Sequence, residues 1–488
     1  MSSDITPNIY KRMKDIVTDI LANVTIRGSN CPVGARVSVL SYNSHTKYLI
    51  RFSDFKSHEQ LISALKNIPL EKTTIGRDIG GAMKFIARNI FKRTLQGATV
   101  RKMAVLFSNG PSDDVESINT AVMEFSALGI IPVVISFNPL PAVKRAFTMD
   151  SSGNFQVIDI PANGDYTPFL QKLKLCTLCY DMCKPAATCV EARPRPQRSY
   201  IDIVFLLDNS NNMEYHEFDT ARNFISTTID QLDISSEPKT SYSGDRVALV
   251  SNAFFDSKQG KPQGEFDLVT YNSKTRMKRH IMESVTLQSS QPVLGLTLER
   301  TIDEIMSKVS NNRRKKVFII ILSGETSMGD KHKLSEASLL AKCQGYGLFV
   351  LSIGKEYNYT ELTEIASKPL DHHLLQLGRI HKSNIDYAIG YLQPYLNSVR
   401  RAINKYPPVD LRSKCASLTS SRYKRNALSE VKEEDIDFEV ELLNPTETVG
   451  VTNYPLGESH TRTFSSQTVG LDKEDNRERE TEQIINLT

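Results

Sequence analysis

The sequence predicts an α/β chain built as two doubly wound domains, and three observations carry that reading. Apolar runs such as Val317-Phe-Ile-Ile-Ile-Leu322 show no polar alternation, the pattern of strands buried on both faces of a largely parallel sheet. These runs alternate with amphipathic helical segments at the spacing of strand–helix–strand units. The pattern also returns after about 210 residues. Arg36-Val-Ser-Val-Leu-Ser-Tyr-Asn reappears as Arg246-Val-Ala-Leu-Val-Ser-Asn-Ala, and Lys102-Met-Ala-Val-Leu-Phe-Ser-Asn-Gly as Lys316-Val-Phe-Ile-Ile-Ile-Leu-Ser-Gly.

In the second copy, strands are expected at 201–208, 246–254, 265–272, 316–323, 346–353 and 373–377. Helical patterns fall between them at 213–233, 274–285, 296–308, 333–344, 359–367 and 384–403. The first copy opens on a helix from Pro7 to about Val24, apolar at Ile9, Met13, Ile16, Val17, Ile20 and Leu21, with no strand before it. Aligned on the second copy, Met1-Ser2 matches Asn209-Ser210, so the chain reads as a fragment that starts inside its first domain. A parallel sheet without its central first strand exposes unpaired backbone and an apolar slot, so this domain alone is expected to be poorly stable. The expected division is a first domain at 1–175, a cysteine-rich linker at 176–199, a second domain at 200–405 and a disordered acidic tail at 406–488.

Composition narrows the class. The chain of 488 residues is 40% hydrophobic and 24% charged, ordinary values for globular protein. No run of eighteen apolar residues occurs, so no membrane span is expected, and Met1-Ser-Ser-Asp-Ile5 does not read as a signal peptide. The net charge of +4 hides an asymmetry, because residues 427–488 carry 15 acidic and 5 basic side chains. The folded body is therefore basic and suited to weak attraction of polyanions such as sulfated glycans. Neither G-x-G-x-x-G nor G-x-x-x-x-G-K-S/T is present, and no nucleophile–base pair stands out, so an enzyme is not expected; no nucleic-acid partner is expected either.

Four of the seven cysteines lie in Cys176-Thr-Leu-Cys179-Tyr-Asp-Met-Cys183-Lys-Pro-Ala-Ala-Thr-Cys189. Thiolates at this spacing can chelate zinc, but no histidine is near and the spacing lacks two separated knuckles, which favours disulfides. Asn23, Asn358 and Asn486 each open an Asn-x-Ser/Thr acceptor for glycosylation. Arg422-Tyr-Lys-Arg425 fits the pattern cut by secretory-pathway convertases, with cleavage after Arg425 where the body meets the acidic tail. Thr73-Thr74 reads as turn and capping chemistry ahead of the Gly80-Gly81 helix, and His372-His373 as a pair that is solvated or at a strand edge.

The strand Tyr200–Leu207 runs directly into Asp208-Asn-Ser210-Asn-Asn212, at the carboxyl end of a parallel strand where such folds hold ligands. This tip, the paired domains and the string Cys-Thr-Leu-Cys-Tyr-Asp-Met-Cys-Lys-Pro resemble the von Willebrand factor A domains in the C-terminal region of collagen VI long chains of the α5/α6 type. The resemblance covers about residues 4–405. It implies a secreted, non-catalytic matrix protein that assembles microfibrils with other collagen VI chains and contacts matrix proteins or cell-surface receptors, with interchain disulfides through Cys176, Cys179, Cys183 and Cys189. No Gly-x-y repeat occurs here, so the triple helix of such a protein would lie outside this chain.

The family's cation site takes Asp-x-Ser-x-Ser, a Thr and a further Asp. In the second domain Asp208 and Ser210 match, whereas Asn212, Pro292 and Ser323 stand at the remaining positions. In the first domain Ser2 matches, Arg77 stands near the Thr position and Asn109 replaces the Asp. A hard cation needs more charged oxygen than this, so the expectation is a degenerate site, no cofactor, and an Asp208 that caps backbone amides. The alternative is a metal-dependent adhesion module that grips an acidic ligand residue through Mg²⁺.

Overall fold

The computed structural model describes residues 1–178 and 199–416 apart from short breaks, the longest at 25–34, 92–100 and 253–263, together with the backbone of a strand at 481–487. In the second domain, strands β6 (Asp202–Leu207), β7 (Arg246–Ser251), β8 (Lys316–Leu322), β9 (Gly347–Ser352) and β10 (Leu374–Gln376) form one parallel sheet in the order β10-β9-β8-β6-β7. Every residue of β6, β7 and β9 is buried, as the unbroken apolar runs require. The strand expected at 265–272 is reduced to a single antiparallel bridge, Leu249 to Phe266. It lies on the edge, and Asp267 there turns away to bond the backbone N–H of Val269 and the Thr270 hydroxyl.

Helices α7 (Tyr215–Asp230), α8 (Lys274–Ser284) and α13 (Ile385–Arg400) cover one face of this sheet. Helices α9 (Leu294–Arg300), α10 (Lys331–Cys343) and α11 (Tyr359–Ile365) cover the other. Two short π-helical runs continue helices of the same rank in the two domains, at Thr301–Met306 after α9 and at Ile86–Phe91 after α3 (Ile79–Phe85). The repeat extends to close packing. Gly80 of α3 lies against the backbone of Ser117 and Ile118 in α4 (Val115–Leu128), where a Cβ would come within 2.4 Å. Gly295 of α9 meets Leu334 of α10 at 2.3 Å in the same way. Only glycine allows either crossing.

The first domain has β1 (Ala35–Tyr42), β2 (Thr46–Ile50), β3 (Arg101–Ser108), β4 (Ile130–Ser136) and β5 (Gln156–Asp159). Its helices are α1 (Pro7–Leu21), α2 (His58–Lys66) and α6 (Thr167–Leu173) on one face, and α3, α4 and α5 (Pro141–Phe147) on the other. Residues 1–178 supply no described strand at the place that β6 holds in the second domain. That place is taken by β11 (Thr481–Leu487), giving the order β2-β1-β11-β3-β4-β5 with β11 parallel to both neighbours. The slot expected between β1 and β3 is thus filled. Residues 406–416, assigned to the tail from sequence, continue the second domain through a short 3₁₀ turn at Val409–Leu411; 417–480 lie outside the described residues.

The two domains share one apolar core. α13 of the second lies along α4 of the first, with Gly390 against Ser126 and Ala127. Polar contacts frame the seam: Asn397 donates to the Met149 carbonyl at 2.8 Å, and Arg145 donates to the Ala402 carbonyl at 3.1 Å.

Candidate functional site

The carboxyl ends of β6 and β8 bring Asp208, Ser210, Asn212 and Ser323 together in the second domain. Asp208 is fully buried. Its Oδ1 accepts from the backbone N–H of Ser210 at 3.1 Å and from the Ser210 hydroxyl at 2.6 Å, while Oδ2 accepts from the Ser323 N–H at 3.4 Å. Burial raises the pKa of its carboxyl above the ordinary aspartate value, and these three bonds oppose that rise. Ser323 donates its hydroxyl to Glu217 at 2.5 Å, and Glu217 closes a capping box with Glu214 at the start of α7. Asn212 donates to the Glu325 carbonyl at 2.9 Å. Pro292 offers only its carbonyl, which accepts from the Ser327 N–H at 3.0 Å.

Asp208 therefore caps the loops that meet at the strand tips, which was legible from the sequence. The donors do not fit a hard divalent cation. Of the positions a cation site would use, Asp208 supplies one carboxylate and Ser210 one hydroxyl, already bonded to each other, and Asn212, Pro292 and Ser323 add no charged oxygen. Among the described residues, no three His, Cys, Asp or Glu side chains are placed to share a metal.

The corresponding corner of the first domain holds a cation of its own. Arg77 has a side chain only 7% exposed and donates to both oxygens of Asp4, at 2.6 and 2.5 Å. It also donates to the Pro111 carbonyl at 3.1 Å, and Asn109 Nδ2 donates to Asp4 Oδ2 at 3.0 Å. By the alignment of Ser2 with Ser210, Asp4 stands where Asn212 stands in the second domain. A guanidinium, an amide and a carboxylate thus occupy three positions that a metal site would use. Sequence reading placed Arg77 and Asn109 there but missed Asp4, whose offset of two residues from Ser2 was the available signal. Ser2 itself lies outside the described residues.

Other expectations are corrected. His372 and His373 directly precede the edge strand β10 but are not solvated; they are 1% and 0% exposed. His372 bridges the domains, with Nε2 at 3.3 Å from the Glu116 carbonyl and Nδ1 at 3.2 Å from Asn404 Oδ1. His373 lies between the Pro369 carbonyl at 2.9 Å and the Tyr406 hydroxyl at 2.6 Å, and burial pulls its pKa down to about 3. Thr73 holds the Met1 carbonyl at 3.0 Å, whereas Asp78 caps α3 through the Gly81 N–H. A disulfide that sequence spacing could not reveal joins Cys343 to Cys415, 72 residues apart.

Asn358 caps α11, its Oδ1 accepting from the N–H groups of Thr360 and Glu361. Its Nδ2, the atom a glycan would modify, has only a 3.4 Å contact to Glu325. Cys179, Cys183, Cys189, Asn23 and Arg425 lie outside the described residues; Cys176 and Asn486 are described by backbone alone, in a π-turn at Lys174–Leu178 and in β11.

Comparison with known proteins agrees with this architecture. The model of the von Willebrand factor type A domain matches residues 1–158 and 202–382. The human collagen alpha-6(VI) chain is 49% identical over 423 residues, 86% of this chain and 19% of its own length. The human collagen alpha-5(VI) chain is 43% identical over 417 residues, 85% of this chain and 16% of its own length. The chain thus spans less than a fifth of these relatives. Among solved structures, proximal thread matrix protein 1 from the mussel byssus matches at 19% identity and a TM-score of 0.34, over 80% of this chain and 92% of that one. With the type A model matched in both halves and the twofold repeat seen in strands, helices and glycine crossings, this chain belongs to the von Willebrand factor type A domain family.

Proposed function

We propose that the chain is a segment of a secreted extracellular-matrix protein that works by protein–protein contact in collagen VI-type microfibril assembly and adhesion. The observation that carries this reading is the 43–49% identity to collagen VI α5 and α6 chains across both domains and the linker between them. Its partners are then other collagen VI chains, together with matrix proteins or cell-surface receptors, and sulfated glycans drawn by the basic body. The role is non-catalytic and independent of metal, because Asp208 is committed to backbone capping and Arg77 supplies the positive charge in the first domain. Cys176, Cys179, Cys183 and Cys189 form disulfides, some between chains, and the chain is cut after Arg425. Asn358 carries a glycan, since its capping oxygen and its modifiable nitrogen are different atoms.

The test is a non-reducing gel of medium from matrix-producing cells that express the tagged chain behind a signal peptide. A secreted high-mass species that contains collagen VI chains and collapses on reduction supports covalent assembly. Secretion as monomer only, or retention in the cell, overturns it.

A further inference from the structure

The end of α13 gathers cations from both domains. Its last residue, Arg400, bonds Asp245 at 2.6 Å, and the Arg400 carbonyl accepts from the Lys315 ammonium at 2.5 Å. Ala402 takes a left-handed conformation, with φ at 51°, and its carbonyl accepts from Arg145 of the first domain at 3.1 Å. Arg401 lies inside this turn and Lys405 just after it, and both are exposed. Among the described residues, none of Arg145, Lys315, Arg401 and Lys405 has a carboxylate within ion-pair distance. The nearby acids are committed elsewhere. Asp245 serves Arg400 and the N–H groups of Ile201 and Asp233, and Asp150, on the loop after α5, accepts from the Ser152 hydroxyl and the Gly153 N–H. The chain enters β8 at this same edge through the basic run Arg313-Arg314-Lys315-Lys316.

We propose that this turn is the binding site for a sulfated glycan chain, held across the domain seam by Arg145 of the first domain and by Lys315, Arg401 and Lys405 of the second. The inference rests on the polyanion partner proposed above and gives that partner a place. Arg145 and Lys315 each spend a donor on a carbonyl of the turn, which fixes them beside it with further donors to spare. A guanidinium presents a fork that matches two sulfate oxygens. Burial lowers the pKa of Lys315, and no carboxylate offsets its lost hydration; a sulfate would bring that counter-charge. Residues 141–147 and 400–405 expose no large apolar side chain, so this surface lacks the apolar anchor on which protein partners rely. Because one cation belongs to the first domain, the glycan binds the packed tandem and stabilises it.

The experiment is titration calorimetry of the full chain with a heparin octasaccharide at physiological salt. Arg401→Glu with Lys405→Glu changes two exposed side chains and should weaken binding about a hundredfold. Arg145→Gln should weaken it about tenfold. The control, Arg276→Glu with Arg279→Glu, makes the same charge change on the exposed face of α8 and should leave affinity within about twofold. An equal loss in the control assigns the attraction to the basic body as a whole; it overturns this site and leaves the polyanion partner standing. A wild type that does not bind heparin overturns both. Full affinity in Arg145→Gln overturns the two-domain site, and polyglutamate binding as tightly as heparin overturns the choice of a sulfated ligand.

Discussion

Gly390 of the second domain lies so close to Ala127 of the first that a Cβ at residue 390 would stand 2.8 Å from the Ala127 Cα. No side chain fits between two helices at that separation. The absent side chain lets α13 and α4 share one apolar core, and it makes the tandem a single packed body rather than two domains on a tether.

Gly390→Val should therefore force the helices apart. Overpacking of this kind typically costs about 1–3 kcal/mol, and here the strain falls on the seam alone. Calorimetry of the wild type should show the two domains unfolding together. The variant should show two separated transitions, with each sheet still protected in hydrogen exchange; a single unshifted transition would mean that the seam does not couple the domains.

The buried pair Asp202–Arg246 makes the second prediction. Removing one partner leaves an uncompensated charge, so Asp202→Ala should cost about 3–5 kcal/mol in urea unfolding. Arg246 also donates to the Pro238 carbonyl and Arg313 lies nearby, so the cost includes those donors losing their counter-charge. The double variant Asp202→Leu, Arg246→Met should recover most of the loss. Failure of Asp202→Ala to move the urea midpoint would show the pair to be energetically idle.

Much of this architecture is readable in the sequence, because buried parallel strands announce themselves by unbroken apolar runs and the chain says everything twice. β6, β8 and α13 were each placed within a few residues. What stayed hidden depends on contacts distant in sequence. Nothing near Cys343 marks Cys415 as its partner, and nothing local to Glu482 marks it as lying between Arg36 and Lys102. The histidines misled for the same reason. Asp371-His-His reads as a polar run, and only the packing of α4 and Tyr406 from elsewhere buries it.

His373 gives the fold a pH dependence whose sign follows from its low pKa. Its folded value of about 3 lies below the unfolded value near 6.5, so above pH 6.5 both states are neutral and the full contribution is present. As pH falls from about 6.5 toward 3 the unfolded state takes a proton that the folded state refuses, and stability drops by up to about 1.4 kcal/mol per pH unit. His372 acts in the same sense. Buried carboxyls with raised pKa values, Asp208, Glu124 and Glu361, act in the opposite sense as they protonate in the folded state first. The informative quantity is thus the difference between wild type and His373→Asn. Between pH 7 and 5 the urea midpoint of the variant should fall less steeply; parallel slopes would remove His373 from the account.

Divalent ions should leave the tandem unmoved. Neither Mg²⁺ nor a chelator is expected to shift its melting temperature. Arg77→Ala should destabilise the first domain by about 1–3 kcal/mol, because Asp4, Asn109 and the Pro111 carbonyl lose a shared donor. The exposure of Asp4, at 44%, favours the lower end of that range. A melting temperature that rises with Mg²⁺ and falls with chelator would restore the metal-dependent alternative.

The disulfide marks the place where the repeat stops repeating. Gly80 against Ile118 matches Gly295 against Leu334, and Gly129 and Gly345 both take left-handed conformations just beyond the two helices, so α4 and α10 align with one constant offset of 216 residues. On that offset the counterpart of Ala127, where the second domain seats α13, is Cys343. In place of a following helix, its sulfur holds Cys415, and the intervening chain turns back across the end of β9, with the Tyr406 hydroxyl near His373 and Tyr395. A cross-link closing 72 residues restricts the unfolded chain by about 4 kcal/mol in the chain-entropy account. Cys343→Ala with Cys415→Ala should lower the unfolding free energy by about that amount. It should also speed exchange in 406–416 and at the end of α10, while the α4–α13 seam stays protected. If the double variant is as stable as the wild type and 406–416 stays protected, that segment is held by the packing of Tyr406 alone and the disulfide is not its anchor.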